Sequence, residues 1–190
     1  YWRLPLNQIG SGCSFSFGSP IAPPRFKETS LAFNQHEWLE SILSELDCLA
    51  PASENFFSLL LEVEKQSETY RVHAHLRMFP KLECVRSLTP FRTDITSKSE
   101  ALFVKATGQQ SSGEHELSES ELESYEHDGS ALNLSDFVTD LIYTSLPDFP
   151  LCQAECRGLC SNCGCNLNEA KACCQADSSA DECPHAHFFQ

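Results

Sequence analysis

Residues 152–165 read Cys-Gln-Ala-Glu-Cys-Arg-Gly-Leu-Cys-Ser-Asn-Cys-Gly-Cys, which sets Cys152, Cys156, Cys160 and Cys163 at intervals of four, four and three. Thiols at such spacing bind metal. Thiolates coordinate zinc tetrahedrally at about 2.3 Å, and Gly164 after the Cys160-x-x-Cys163 pair lets the backbone turn tightly enough for both sulfurs to reach one ion. Four thiolates fill the tetrahedron and leave no position for water, so the expected zinc is structural and not a Lewis acid. The competing chemistry is thiol–disulfide exchange at Cys160 and Cys163. A redox pair of that kind opens a helix after a strand, where the helix terminus lowers the thiol pKa. Here the pair sits in a Gly-rich run after Pro150.

The chain that carries this run has 190 residues, 41% of them hydrophobic and 21% charged, enough for one ordinary core and a smaller satellite module. Eleven cysteines are an odd number, eight lie after residue 150, and nothing resembles a secretory signal. The expectation is a reducing compartment, the cytoplasm, where thiols favour metal over disulfides. The longest apolar runs, Phe56 to Leu61 and Phe137 to Ile142, fall far short of the roughly 20 residues a bilayer crossing needs. No membrane association and no small-molecule substrate are expected. There is no Gly-x-Ser-x-Gly and no phosphate-cradling glycine loop, so no hydrolase or nuclease pattern appears.

A formal net charge of −14 argues at first against nucleic acid, because binding phosphates requires Lys and Arg. The distribution of charge points the other way. Seven acids between Glu114 and Asp128, with no Lys or Arg among them, supply half the excess and read as a solvated loop over about residues 108–131. Eight of the thirteen basic residues lie between Lys65 and Lys105 against four acids, which makes the middle of the chain net +4.

The elements that must position these residues follow from periodicity. After Asn34, a good N-cap, Trp38, Leu39, Ile42, Leu43 and Leu46 form one stripe at helical spacing, ended near Pro51. Phe57, Leu59, Leu61 and Val63 then alternate with Ser58, Leu60, Glu62 and Glu64 at strand period. A second strand puts Val72, Ala74, Leu76 and Met78 on one face and Arg71, His73, His75 and Arg77 on the other. Cations on a sheet face are suited to an RNA backbone, although no aromatic residues interleave them for base stacking. Lys81 to Val85 and Phe91 to Ile95 are expected to flank a loop, and Ala101 to Ala106 to add a strand. Ser135 is expected to cap a helix with Phe137, Val138, Leu141 and Ile142 on its apolar stripe, stopped by Pro147 and Pro150.

The resulting fold class is α+β: an antiparallel sheet, a meander or partly open barrel, with two packing helices and a small C-terminal Cys-rich zinc-binding module. The expected division is an α+β domain over 1–150, the zinc module over 151–168 and a flexible Cys/His tail over 169–190. That tail, with Cys173, Cys174, Cys183, His185 and His187, reads as a flexible end without a function; adjacent cysteines rarely chelate one ion together, and a second site built with His185 and His187 is the competing reading.

The segment from Leu132-Asn133-Leu134-Ser135-Asp136-Phe137 through Leu146-Pro147-Asp148-Phe149-Pro150-Leu151-Cys152 to Cys156-Arg157-Gly158-Leu159-Cys160, Cys163-Gly164 and Asn166-Leu167-Asn168 resembles the C-terminal signature of the YceD family. These are the large ribosomal RNA subunit accumulation proteins. The family also has a central Cys-x-Arg-Cys-Leu loop, and Cys84-Val85-Arg86-Ser87-Leu88 stands in its place. The resemblance implies a role in large-subunit biogenesis through accumulation or processing of 23S rRNA, with no enzymatic reaction, and with a 23S rRNA precursor or an early large-subunit ribosomal protein as partner. It makes Arg86 a candidate contact beside Arg71, His73, His75 and Arg77, and Cys84 a possible alternate zinc ligand. This chain departs from the pattern at Ser87, where the family has its second central cysteine. That departure favours the closed set of Cys152, Cys156, Cys160 and Cys163. A zinc-ribbon-like module that recruits a protein outside the ribosome is the alternative, and a thiol oxidoreductase the second.

Overall fold

The computed structural model describes residues 2–17, 28–30 (backbone only), 37–48, 57–106, 124–161 and 163–169. Asn34, the acidic stretch over 107–123, and Cys173, Cys174, Cys183, His185 and His187 lie outside the described residues. In chain order the elements are β1 (Arg3–Pro5), β2 (Gly12–Phe17), β3 (Glu28–Ser30), α1 (Glu37–Glu45), β4 (Phe57–Gln66), β5 (Thr69–Met78), β6 (Lys81–Glu83), β7 (Pro90–Arg92), β8 (Ile95–Lys105), β9 (Ser124–His127), β10 (Ala131–Asn133) and α2 (Leu134–Thr144). The chain forms two compact units, Tyr1–Pro80 with Asp94–Leu146, and Lys81–Thr93 with Pro147–Gln190.

In the first unit, among the described residues, six strands make an open sheet in the order β3-β2-β4-β5-β8-β9. Its centre is antiparallel, and the class is α+β as the periodicities require. The two edge pairings, β2 with β3 and β8 with β9, are parallel. The sheet is therefore mixed and is not a closed barrel. Hairpin β4–β5 is the spine, in register from Phe57↔Met78 to Gln66↔Thr69. Its two-residue turn works because Ser67 takes φ 57°, the left-handed conformation such tight turns use.

One face of the sheet carries the core. Val72, Ala74, Leu76 and Met78 of β5 are fully buried, together with Leu59, Leu61 and Val63 of β4 and Phe103 of β8. Leu39 and Leu43 from α1, Leu46 just after it, and Phe137, Val138, Leu141 and Ile142 from α2 belong to the same cluster. Helix α1 stops before Pro51 for a local reason: Asp47 takes φ 50°, Cys48 N–H bonds the Leu43 carbonyl at 2.8 Å, and Asp47 N–H bonds the Ser44 carbonyl at 3.1 Å. This is a Schellman closure with buried Cys48 as its apolar contact. Among the described residues, no helix is long and apolar enough to cross a membrane.

Three sequence expectations need correction. Ser135 does not cap α2; Asn133 holds the N-cap position with extended backbone, and the Ser135 hydroxyl, inside the helix, donates to Asn133 Oδ1 at 2.6 Å. The helix starts two residues early, and Leu134 at its first position is fully buried in the core. Ser124–His127, expected to belong to the acidic loop, form an edge strand instead, since Tyr125 stacks on Phe103 with ring centroids 5.2 Å apart. Strand β4 is buried on both faces from Phe57 to Val63, Ser58 and Glu62 included, so its polar positions do not mark a solvent face.

Candidate metal centre

The second unit is built from two stretches far apart in the chain. Strands β6 and β7 pair antiparallel, Lys81↔Arg92 to Glu83↔Pro90. Between them the chain turns: Cys84 N–H bonds the Thr89 carbonyl at 3.0 Å, and Leu88 N–H bonds the Cys84 carbonyl at 2.9 Å, with Leu88 at φ 54°. The segment after Pro147 docks on this loop through backbone bonds. Val85 N–H donates to the Pro150 carbonyl at 3.0 Å and Leu159 N–H to the Arg86 carbonyl at 3.2 Å. Asn166 Nδ2 adds a side-chain bond to Thr89 Oγ1 at 3.0 Å.

The docking brings three thiols together. Cys84, Cys152 and Cys156 have sulfurs all within 4.8 Å of one another, and Cys160, Cys163 and Cys165 form a second such group; each could hold a metal ion. The four cysteines picked out by spacing are thus divided between two groups. Cys152 and Cys156 join Cys84, the alternate suggested by the family loop. Cys160 and Cys163 join Cys165, which spacing along the chain leaves without a role.

The first group fits a metal on geometry. Cys84 Sγ and Cys156 Sγ are 3.7 Å apart, close to the ~3.8 Å edge of a tetrahedron whose sulfurs lie about 2.3 Å from its centre. Cys84 is fully buried and Cys156 nearly so. Burial pushes the Cys84 thiol up, but hydrogen bonds from the Ser87 side chain and from the backbone of Cys152, Ser87 and Arg86 outweigh it and bring the pKa down to about 5. Burial also raises Cys156, and bonds from the Asn168 and Ser87 side chains and the Gly158 backbone bring it below the ordinary thiol value. At Cys152 a hydrogen bond from Ser87 lowers the thiol, but burial and the neighbouring Cys156 and Cys84 outweigh it and leave its pKa raised; thiolate, the form that a metal takes, is favoured at Cys84 and Cys156.

The residues around the thiols hold the segment that presents them. Asn168 Nδ2 donates to Cys156 Sγ at 3.2 Å, while Asn168 Oδ1 accepts from Arg157 N–H at 2.9 Å and Gln153 Nε2 at 2.8 Å. One amide therefore ties two positions of the loop, Gln153 and Arg157, to the Cys156 sulfur, in the manner of outer-shell partners that orient ligands. In sequence the Asn166-Leu167-Asn168 tripeptide is only a signature; its work becomes visible when the loop closes. Arg86 donates from Nη1 to the Cys156 carbonyl at 3.0 Å, so this candidate contact residue also braces the thiol group.

Gly158 completes the brace. It takes φ +76°, and a Cβ there would lie 3.1 Å from the Arg86 carbonyl oxygen. Gly158→Ala is expected to cost roughly 1–2 kcal/mol from the left-handed backbone alone, with a further cost from pushing Arg86 away. Thermal unfolding of the metal-loaded protein measures it; a change below about 0.3 kcal/mol, well under that backbone cost, would sink the assignment.

The remaining candidates sit in the first unit, on the sheet face opposite the core. Arg71 ion-pairs with Glu100, and His73 Nδ1 lies 3.3 Å from the same carboxylate. Arg77 makes a two-pronged contact with Asp94, at 3.1 and 2.8 Å. His75 is opposite Lys98 on β8. The four share one face as alternation requires, with both arginines partly exposed, but the neighbouring chain brings acids to them.

A model of the family described as large ribosomal RNA subunit accumulation protein YceD matches residues 72–184, more than half of the chain. The chain belongs to the YceD family. The matched region runs from β5 through both cysteine groups, so it takes in most of the sheet face and every thiol of the two groups in this YceD member. No curated protein and no solved structure matches the chain.

Proposed function

We propose that this protein promotes the accumulation of 23S rRNA and assembly of the large ribosomal subunit without catalysing a reaction. The observation that carries the reading is the family match over residues 72–184, since the family's description names large ribosomal RNA subunit accumulation. Zinc is the proposed metal, because a buried donor set of thiolates is the kind that closed structural zinc sites use. Cys84, Cys152 and Cys156 are its proposed ligands in the first group, and Cys160 and Cys163 serve the second with Cys165. When bound, zinc supplies cross-linking between the β6–β7 loop and the segment after Pro147, which each contribute ligands.

The proposed contact with large-subunit rRNA runs over Arg71, His73, His75 and Arg77, with Arg86 beside the metal group. The ion pairs to Glu100 and Asp94 do not argue against this. Exposed pairs of this kind contribute little, about 0–1 kcal/mol, and a phosphate can replace the carboxylate. Neutralising Arg71 and Arg77 to Gln is expected to weaken binding to large-subunit rRNA fragments. The salt slope, log K against log salt, should fall by about 0.7–0.9 for each phosphate that is no longer neutralised. An unchanged slope removes this face from the interface. If depletion leaves rRNA profiles intact and the tagged protein recovers no large-subunit precursor, the functional reading itself fails.

A second reading gives the cysteine unit a protein partner. Its support is the exposure there of Val85, Leu88 and Phe149, at 49, 56 and 79%. Photo-crosslinkers placed at these positions distinguish the two by yielding protein adducts in place of RNA adducts.

A further inference from the structure

We propose that Ser87 is the fourth ligand of the metal held by Cys84, Cys152 and Cys156, its hydroxyl oxygen taking the vertex that a fourth thiolate would fill. The inference rests on the metal reading above. It concerns a residue that spacing arguments discard, since serine is a poor zinc donor.

The first support is position. Ser87 Oγ lies 3.5 Å from Cys152 Sγ, and the edge between a sulfur about 2.3 Å and an oxygen about 2.0–2.2 Å from a tetrahedral centre is about 3.5–3.7 Å. Ser87 is only 5% exposed, so its hydroxyl is held beside the thiol group and away from solvent.

The second support comes from within the chain. At the other cysteine group, Gly164 N–H bonds the Cys160 carbonyl at 2.9 Å and Gly164 has φ +69°, which turns Cys160 and Cys163 to one side. In the β6–β7 loop, Leu88 N–H bonds the Cys84 carbonyl at 2.9 Å and Leu88 has φ 54°. The two turns have the same closure. Ser87 stands in its turn where Cys163 stands in the other, the second donor position of the pair. A leucine held in the left-handed region costs roughly 1–2 kcal/mol, and it persists only where its surroundings impose it. Here the constraint aims the Ser87 hydroxyl into the thiol group.

The proton balance is simple. The hydroxyl binds through an oxygen lone pair and keeps its proton, while each cysteine that arrives as a thiol releases one proton to solvent. Three thiolates and a divalent ion leave a site of net charge −1. A neutral oxygen donor is weaker than a thiolate toward zinc, so this site is expected to hold its metal less tightly than a four-thiolate one.

The test uses the full chain, with zinc affinity measured by competition against a chromophoric chelator for the equivalent of metal that Cys84→Ser removes. Cobalt(II) substitution gives an independent readout. Ser87→Cys is expected to tighten zinc by about tenfold or more and to raise the thiolate-to-cobalt charge-transfer absorbance by about one third, one thiolate added to three. Ser87→Ala is expected to weaken zinc about tenfold. If both variants stay within about twofold of the parent, far short of that tenfold change, with an unaltered cobalt spectrum, while Cys84→Ser and Cys156→Ser release the metal, the Ser87 proposal is overturned and the zinc reading stands. If the parent protein takes up no metal, both fall.

Discussion

Replacing Cys156 by serine is expected to abolish stoichiometric zinc binding at the first thiol group and to loosen the unit that contains it. Cys156 is buried, its sulfur faces Cys84 at 3.7 Å, and its backbone carbonyl accepts from Arg86. Removing an outer-shell partner typically costs 10–100-fold in metal affinity, so removing the donor itself is expected to cost more than about 100-fold. Metal binding and folding are coupled where ligands come from distant segments. Here the proposed ligands come from residues 84 and 152–156, and chelation of the parent protein is expected to produce the same loosening as the mutation. Hydrogen exchange at the Val85 and Leu159 amides, which hold the two segments together, reports it. Retention of full zinc content by Cys156→Ser would remove this residue from the ligand set.

The second large effect lies in the first unit. Phe103 is fully buried on β8, stacked on Tyr125 of β9 and edge-on to Phe137 of α2 at 6.4 Å. It is the point where the sheet, its parallel edge strand and a helix meet. Phe103→Ala is expected to cost about 3–5 kcal/mol, from the apolar burial removed and the cavity left behind, with aromatic geometry contributing about 0.5–1.5 kcal/mol of that. Domain stability is typically about 5–15 kcal/mol. The variant should therefore unfold at markedly lower urea with little change in slope, and a midpoint shift equivalent to under about 1 kcal/mol would refute the packing role. Zinc content per folded molecule should not change, which separates this effect from that of Cys156.

The two substitutions probe different levels of the same chain. Phe103 is legible in the sequence only as part of a short apolar run, Ala101 to Ala106, whereas the strand extends from Ile95 because its first half pairs with β5 across polar residues. Alternation correctly sorts Arg71, His73, His75 and Arg77 from Val72, Ala74, Leu76 and Met78, because a strand's period of two is a property of the backbone. It cannot place Glu100 and Asp94 beside the arginines, since register across strands is set by tertiary pairing. The parallel edge strand at Ser124–His127 is hidden for a similar reason: four residues in an acidic stretch carry no period, and only the contact of Tyr125 with Phe103 and Phe137 selects the strand.

Taken alone, the residue order establishes an α+β fold, two amphipathic helices, a metal-type cysteine run and a family resemblance that the comparison over residues 72–184 supports. Each of these is carried by neighbours in the chain, through helical or strand periodicity or through close spacing of thiols. Which thiols meet depends on the fold. Spacing along the chain groups Cys152, Cys156, Cys160 and Cys163, but backbone bonds from Val85 to Pro150 and from Leu159 to Arg86 bring a distant upstream loop against that run and set Cys84 beside Cys152 and Cys156. Coordination depends on distances of a few ångströms between side chains. Sequence spacing bounds those distances within one turn and says nothing of them across a docked loop.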